Sequence, residues 1–512
     1  MNSLYNSFVS ICERSGDSIA LIFQNRMIDY NTLYNNVQRI HKELVAQGIK
    51  SGDIVGLSVR RSPNVFAYML ALLKIGAAYM PFNPLQTESE WLRMIEESHC
   101  KAVINDRLEI KQFFKGLWIE FEEFEYEVHN IRSYDKEVDD HTKNLVYVIY
   151  TSGSTGKAKG VGIRQESLKN LIEFGTKEIG LTKGQRIIAF SDLAFDMSVP
   201  ETIIPILIGM SVVLLDDEEV GNPRLVRRLI QNNEVTTLLI TPTRMRILLG
   251  CKKGTEFLSS LRFILLGAEM ISNTLKDKLK NACDARIFNL YGPTETTVYL
   301  TYSDITDKEE IDIGRPIENT QIHLLDDDGE LVEGVGEGEI VISGIGVADG
   351  YIATDVKKAF RKEAKFSNSY VYYTGDMAKR LENGDFVYTG RKDNQIKYRG
   401  YRLGLEAIED IVKNQVKEIQ DCVISVYKNG ESEYLTMLYV SETELEITQF
   451  KHMVCNHLAS YATPLCIFRV KALPLNKNSK IDRASVVEIV KFFFTNSSKG
   501  GNVSGRENSG IY

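Results

Sequence analysis

The sequence predicts an α/β protein: a large N-terminal domain of α/β subdomains plus a Gly-rich β subdomain, with a small α+β C-terminal domain. Three observations carry this. Up to about residue 390, short apolar runs alternate with stretches of 3.6-residue periodicity, the pattern of parallel strands joined by helices. Between Glu337 and Tyr388 the chain is dense in Gly and follows a period of two, which predicts antiparallel strands. From Gly390 to Gly400 the sequence turns polar and charged, and the chain beyond it has the size of one small domain.

Each element has its own signal. Leu145-Val146-Tyr147-Val148-Ile149 is an apolar, β-branched run that reads as a buried strand. Ile187 to Phe190, Val212 to Leu215, Thr237 to Ile240 and Phe263 to Leu266 read the same way, with helical patterns such as Leu168 to Ile179 and Leu225 to Gln231 between them. The C-terminal region predicts a helix over 403–414, strands over 419–428 and 433–440, a helix over 446–459 and a final strand–helix pair. The domains are thus expected at 1–392 and 393–494, and the Ser/Gly/Asn-rich remainder, 495–512, is predicted disordered.

Composition narrows the function. A chain of 512 residues with 43% hydrophobic content forms substantial cores. The net charge of −8, with no basic stripe to balance it, argues against a nucleic-acid partner. No apolar segment follows the first Met and no run reaches 18 apolar residues, so the protein is expected in the cytoplasm without membrane contact. Cysteines 12, 100, 251, 283, 422, 455 and 466 are scattered and form no C-x-x-C pair. They are expected to be reduced and mostly buried.

The stretch after the first strand is the most telling. Thr151-Ser152-Gly153-Ser154-Thr155-Gly156-Lys157-Ala158-Lys159-Gly160 combines small residues, hydroxyls and two Lys directly after a core strand. Glycines let a backbone approach a ligand closely, successive N–H groups make an anion nest, and Lys157 and Lys159 add positive charge. This is the layout expected of a polyphosphate cradle, the alternative being a surface turn. A Walker A loop is excluded, because Thr151 stands where its first Gly belongs and Ala158 where its metal-binding hydroxyl belongs. Asn289-Leu290-Tyr291-Gly292-Pro293-Thr294-Glu295 offers an aromatic face, a hydroxyl and a carboxylate within five residues, able to stack on a purine, touch a phosphate and hold Mg²⁺. Alone it is equally a structural turn.

The Thr151–Gly160 run resembles the phosphate loop of the adenylate-forming superfamily, which includes acyl-CoA synthetases, luciferase and the adenylation domains of nonribosomal peptide synthetases. Segments similar to this family's motifs span residues 30 to 483 in family order, among them Leu73 to Pro81, Gly338 to Gly344 and Gly390 to Glu409. The resemblance implies an ATP- and Mg²⁺-dependent ligase whose nucleotide is held by Thr151 to Lys157, Lys159, Gly267, Asn289, Tyr291, Gly292, Asp376 and Arg391. Tyr291 and Asn289 match residues at the adenine. Thr294 matches the α-phosphate ligand and Glu295 the metal ligand, while Asp376 of Tyr373-Thr374-Gly375-Asp376 matches the ribose carboxylate. Lys480, before Ile481-Asp482-Arg483, matches the catalytic lysine, and Asp393 the hinge about which a mobile C-terminal domain rotates. Departures from the family pattern are Ala158, Asn83, Gln165, Asp349, Gly404 and Ser479.

By the same resemblance, Asp196 of Phe195-Asp196-Met197-Ser198 matches the carboxylate that pairs with the α-ammonium of amino-acid substrates. Facing a fatty or aryl acid it would be a buried charge without a partner. The side-chain pocket is expected from Met197, Pro200, Leu239, Ile264, Leu266, Leu290, Val298 and Tyr299, apolar apart from one hydroxyl, which implies an apolar substrate. No Ser in a phosphopantetheine-attachment setting follows Arg483. The expectation is a stand-alone amino-acid adenylation enzyme of nonribosomal peptide synthesis, of the kind used in antibiotic biosynthesis, that serves a separate phosphopantetheinylated carrier protein. A D-alanine–carrier protein ligase, an acyl- or aryl-CoA synthetase and a silent nucleotide-binding scaffold are the alternatives.

Overall fold

The computed structural model describes residues 3–84, 86–106, 116–122, 133–135, 141, 144–151, 158–251, 254–353, 359–366, 370–392, 395–399, 401–429, 432–475 and 481–497. Its contacts divide the chain into two units. One comprises Met1–Asn83, Met94–Tyr150 and Gly160–Lys392, and the other Pro84–Arg93, Thr151–Lys159 and Asp393–Tyr512.

In the first unit the expected strands form a nine-stranded sheet. Its centre is parallel: Arg286–Tyr291, Phe263–Gly267, Thr237–Ile240, Arg186–Ala189, Ser211–Leu214 and Ile19–Phe23 lie side by side in that order. Both faces are covered, so these strands read as continuous apolar runs. Helices such as Pro223–Asn232, started by Asn222 accepting from the N–H groups of Arg224 and Leu225, cross between them. A six-stranded sheet contains Ile54–Ser58, Ala78–Pro81, Ala102–Asn105 and Leu145–Thr151. The Gly-rich region is antiparallel as predicted, with Gly336–Gly344 paired to Tyr370–Arg380 and that strand to Phe386–Arg391.

The helix expected over 168–179 starts earlier, at Gln165, and its last turn, Gly175–Ile179, widens to a π-helix before Gly180 turns left-handed at φ 90°. In the second unit, Tyr401–Gly404 pairs with Gln395–Tyr398, so the helix expected from 403 begins only at Leu405. Strands Asp421–Asn429 and Ser432–Val440 form the predicted hairpin, joined in parallel by Cys466–Arg469. The last helix, Arg483–Ser497, runs through Thr495 because Val486 and Val490 are buried against the hairpin. Residues 498–512 of the predicted disordered tail lie outside the described residues. All seven cysteines are free, but only Cys12, Cys100 and Cys422 are buried, which corrects the expectation that most are. Among the described residues no helix is long and apolar enough to cross a membrane.

Candidate active site

Strand order places the site. The chain passes from Arg186–Ala189 to its neighbour Ser211–Leu214 on one side, then resumes on the other side at Thr237–Ile240. Such a reversal opens a crevice beyond the carboxyl ends of the strands, where α/β sheets bind ligands. The segments leaving this edge are the ones marked in the sequence: Asp196 after the Arg186 strand, Gly267 ending its own, and Tyr291 to Tyr299 after the Arg286 strand.

The Asp196 turn is built from below. Glu201 is fully buried and accepts from the N–H groups of Phe190 and Ser191 (2.9 and 2.7 Å) and the Ser191 hydroxyl (2.6 Å). Burial raises its pKa, against the pull of these bonds. Arg61 donates to the carbonyls of Phe190 and Ser191 on the other side. Asp196 itself, 6% exposed, accepts a 2.6 Å hydrogen bond from Thr294 Oγ1. The two residues expected at the substrate ammonium and at the α-phosphate are therefore in direct contact.

The 292–299 loop is wound tightly. A Cβ on Gly292 would lie 2.5 Å from Tyr299 Cα, so only Gly permits the closure. Thr297 and Val298 both have positive φ (67° and 66°), rare for β-branched residues and costing about 1–3 kcal/mol each. Thr297 Oγ1 holds the Gly346 carbonyl at 2.7 Å. The loop brings Glu295, 2% exposed, against Tyr351, whose hydroxyl donates to Glu295 Oε1 at 2.8 Å. Burial first, and then the Glu295 charge, push the Tyr351 phenol far up, so it stays a donor.

Asp376 sits on the Gly-rich sheet directly opposite Arg391 in the strand register, and the two form an ion pair. Its other oxygen accepts from Tyr291 Oη at 2.7 Å. Tyr291 lies 6.1 Å from the Tyr388 ring, and Asn289 spends its amide on the Asp312 carbonyl at 2.7 Å. Ribose, adenine and metal candidates are thus gathered by one strand end and one hairpin. Of the phosphate loop, Thr151 and Lys159 are half-buried, while Ser152, Gly153, Ser154, Thr155, Gly156 and Lys157 lie outside the described residues. So do Lys480 and Asp393. The chain on either side of 476–480 is held together: Leu475 bridges Ile481 and the Asp482 N–H donates to the Pro474 carbonyl at 2.9 Å. Arg483 anchors it by pairing with Glu409 at 2.9 Å.

The residues expected to line the side-chain pocket divide between two apolar clusters. Met197, Leu239, Leu290, Val298 and Tyr299 share one apolar cluster, but Ile264 and Leu266 belong to the cluster on the opposite face of the sheet. Side chains alternate along a strand, so Ile264 and Leu266 take the face opposite to Leu265. The register pairs Leu239 with Leu265 and Leu290 with Gly267. Leu265 and Gly267 are therefore the residues of that strand beside Leu239 and Leu290, and a Cβ on Gly267 would stand 3.8 Å from Leu290 Cβ. Pro200 is buried in the short helix after Asp196.

Sequence reading missed Tyr351 and Arg61, whose partners are far along the chain, and Glu201, whose partners lie 10 and 11 residues back. It also missed Tyr147, whose buried hydroxyl has no hydrogen-bond partner among the described residues. Burial raises that phenol's pKa, and the Tyr79 hydroxyl and the Asp196 charge raise it further. Gln165 is likewise buried, with neither amide atom bonded among the described residues.

The chain is similar to known proteins in sequence and in fold. Tyrocidine synthase 1 of Brevibacillus parabrevis is 29% identical over 95% of this chain, which spans 45% of that protein. Bacitracin synthase 3 of Bacillus licheniformis is 30% identical over 94% of the chain, which spans 8% of it. The chain thus covers less than half the length of these relatives. The adenylation domain AlmE of Vibrio cholerae, solved with glycyl-adenosine-5'-phosphate, superposes with a TM-score of 0.82 at 20% identity, over 96% of this chain and 98% of that one. It shares the mixed α/β architecture of a large N-terminal and a small C-terminal domain. The AMP-binding enzyme family model matches residues 8–352, and the chain belongs to that adenylate-forming family.

Proposed function

We propose that this chain activates an apolar amino acid with ATP to an aminoacyl-AMP and passes the acyl group to the phosphopantetheine thiol of a separate carrier protein. The observation that carries the reading is the buried Asp196 carboxylate at the sheet's switch point, hydrogen-bonded to Thr294. A carboxylate taken out of water favours a cation in its place, and an α-ammonium supplies one.

Glu295 suits Mg²⁺. Among the described residues no group of three His, Cys, Asp or Glu could cage a metal, and Mg²⁺ characteristically takes one or two carboxylates together with waters and phosphates. Bound there, Mg²⁺ supplies neutralising charge to the nucleotide phosphates. Asp196 fixes the amino acid by its ammonium, leaving the substrate carboxylate to face the α-phosphorus. One of its oxygens attacks, the bond from the α-phosphorus to the bridging oxygen of the β-phosphate breaks, and pyrophosphate leaves. Thr294, its hydroxyl released from Asp196 as the substrate ammonium takes that place, donates to the α-phosphate; Asp376 accepts from both ribose hydroxyls, and Lys480 offsets the charge of the transition state. In the second step the thiol attacks the acyl carbon, gives its proton to solvent, and AMP leaves. Asp393 serves as the hinge of the C-terminal domain, residues 393–494, between the two steps.

The test is ATP–pyrophosphate exchange across the amino acids, D-alanine, and fatty and aryl acids. Exchange with apolar amino acids is expected. Exchange with fatty or aryl acids instead overturns the reading of Asp196, D-alanine alone marks a D-alanine–carrier protein ligase, and nucleotide binding without exchange marks a scaffold.

A further inference from the structure

The segment 344–352 ties together two parts of the site that are far apart in sequence. At one end, the Ala348 N–H donates to the Glu295 carbonyl at 3.0 Å, and the Gly346 carbonyl accepts from Thr297 Oγ1. In the middle, the Ile345 carbonyl accepts from Ser167 Oγ at 2.6 Å. At the other end Tyr351 bridges Val161, and the Ile352 N–H donates to the Gly160 carbonyl at 2.8 Å. Gly160 and Val161 belong to the strand that leaves the phosphate loop, Lys159–Arg164. The strand is gripped closely: a Cβ on Gly160 would sit 2.8 Å from the Tyr150 ring and 3.2 Å from Ile352. From this double anchorage the Tyr351 ring, packed edge-on against Phe360 at 5.1 Å, delivers its hydroxyl to Glu295 Oε1.

We propose that Tyr351 is a positioning residue for the metal-binding carboxylate: its hydroxyl holds one oxygen of Glu295 and so fixes the orientation in which the carboxylate meets the cation, in a frame shared with the strand leaving the phosphate loop. This rests on the reading of Glu295 as the Mg²⁺ ligand. A carboxylate with both oxygens loose can rotate and bind a cation through either or both, whereas one fixed by a neutral donor offers a single orientation. A negatively charged partner would compete for the cation and a positively charged one would repel it. A phenol does neither, and its anchoring to Gly160 and Val161 keeps carboxylate and phosphate-loop strand in register.

The experiment measures Mn²⁺ binding in the presence of ATP by electron paramagnetic resonance, together with binding of metal-free ATP, for the parent, Tyr351→Phe and Glu295→Gln. Tyr351→Phe keeps the ring, its packing on Phe360 and every backbone bond. It is expected to bind metal-free ATP as the parent does but to need about 10-fold or more Mn²⁺ for half-saturation, the usual cost of losing a residue that orients a metal ligand. 3-Fluorotyrosine at 351, which keeps the hydroxyl, is expected to restore the parent's value. If Glu295→Gln weakens Mn²⁺ binding and Tyr351→Phe does not, the positioning role falls while the reading of Glu295 stands. If neither variant changes Mn²⁺ binding, Glu295 is not the metal ligand. Equal loss of metal-free and metal-loaded ATP in Tyr351→Phe, or failure of that variant to fold, assigns the hydroxyl to structure and overturns the proposal.

Discussion

Replacing Asp196 by Asn keeps an acceptor for Thr294 and the shape of the side chain, and removes only the charge. Under the proposed function the substrate ammonium then enters a site where its counter-charge is gone, 6% exposed and screened from water. Truncating one partner of a buried, hydrogen-bonded charge pair costs about 2–5 kcal/mol. At about 1.4 kcal/mol per decade this raises the half-saturating amino-acid concentration about 30- to 4,000-fold. ATP half-saturation should stay within about twofold, because Thr294 and the Tyr291–Asp376–Arg391 cluster are untouched. The assay is ATP–pyrophosphate exchange with each substrate varied in turn, repeated with acids that lack the amino group. The parent should reject those acids, since they lack the ammonium proposed to pair with Asp196, and the Asn variant should lose most of that discrimination. An amino-acid half-saturation equal to the parent's, or an equal loss for ATP, would refute the assignment.

Lys480→Ala should slow adenylate formation about 100-fold or more while sparing transfer from a pre-made aminoacyl-adenylate, measured as separate half-reactions; equal loss in both counts against a rotating domain. Leu290→Gly should shift preference toward larger apolar side chains, while Leu266→Gly, in the far cluster, should lower the melting temperature and leave the ranking of substrates unchanged. A ranking altered by Leu266→Gly would contradict the strand register. Asp385 tests acid stability. Burial pushes its pKa up, but hydrogen bonds from Arg315 (2.7 Å) and Lys308 (3.0 Å) win and hold it below the ordinary carboxylate value. A carboxyl lowered on folding adds stability that is full above about pH 4 and is lost as pH falls through the folded value. Asp385→Asn should therefore show a melting temperature that falls less steeply below about pH 4 than the parent's.

What the sequence made legible was what is local. Apolar, β-branched runs mark Thr237–Ile240 and Phe263–Gly267 as strands because both faces of their sheet are buried. The same continuity hid their orientation. With apolar residues at every position, no alternation distinguishes Leu265 from Leu266, and only pairing with Leu239 and Phe288 fixes which side each takes. Asp196, Thr294 and Asp376 stand in motifs and could be singled out. Tyr351 could not, since nothing near Asp349-Gly350-Tyr351 announces that its hydroxyl meets a carboxylate 56 residues away. Glu201 likewise reads as one more charge on a helix until the turn it supports is folded around it. The extended start of Tyr401–Gly404 escaped for a related reason, because its partner strand lies in the polar stretch that reads as a linker.

The central sheet acts as a partition. Leu239, Leu265, Phe288 and Leu290 look into one apolar cluster, while Leu238, Ile240, Ile264 and Leu266 look into another that is closed by Val226, Met245 and Leu275. Under the proposed function, substitutions on the first side alter what the crevice admits, while the second side packs separately. Descendants of such a chain can therefore drift in preference along one face while the opposite face goes on holding the strands in place, and anyone redesigning it can treat the two faces as separate problems.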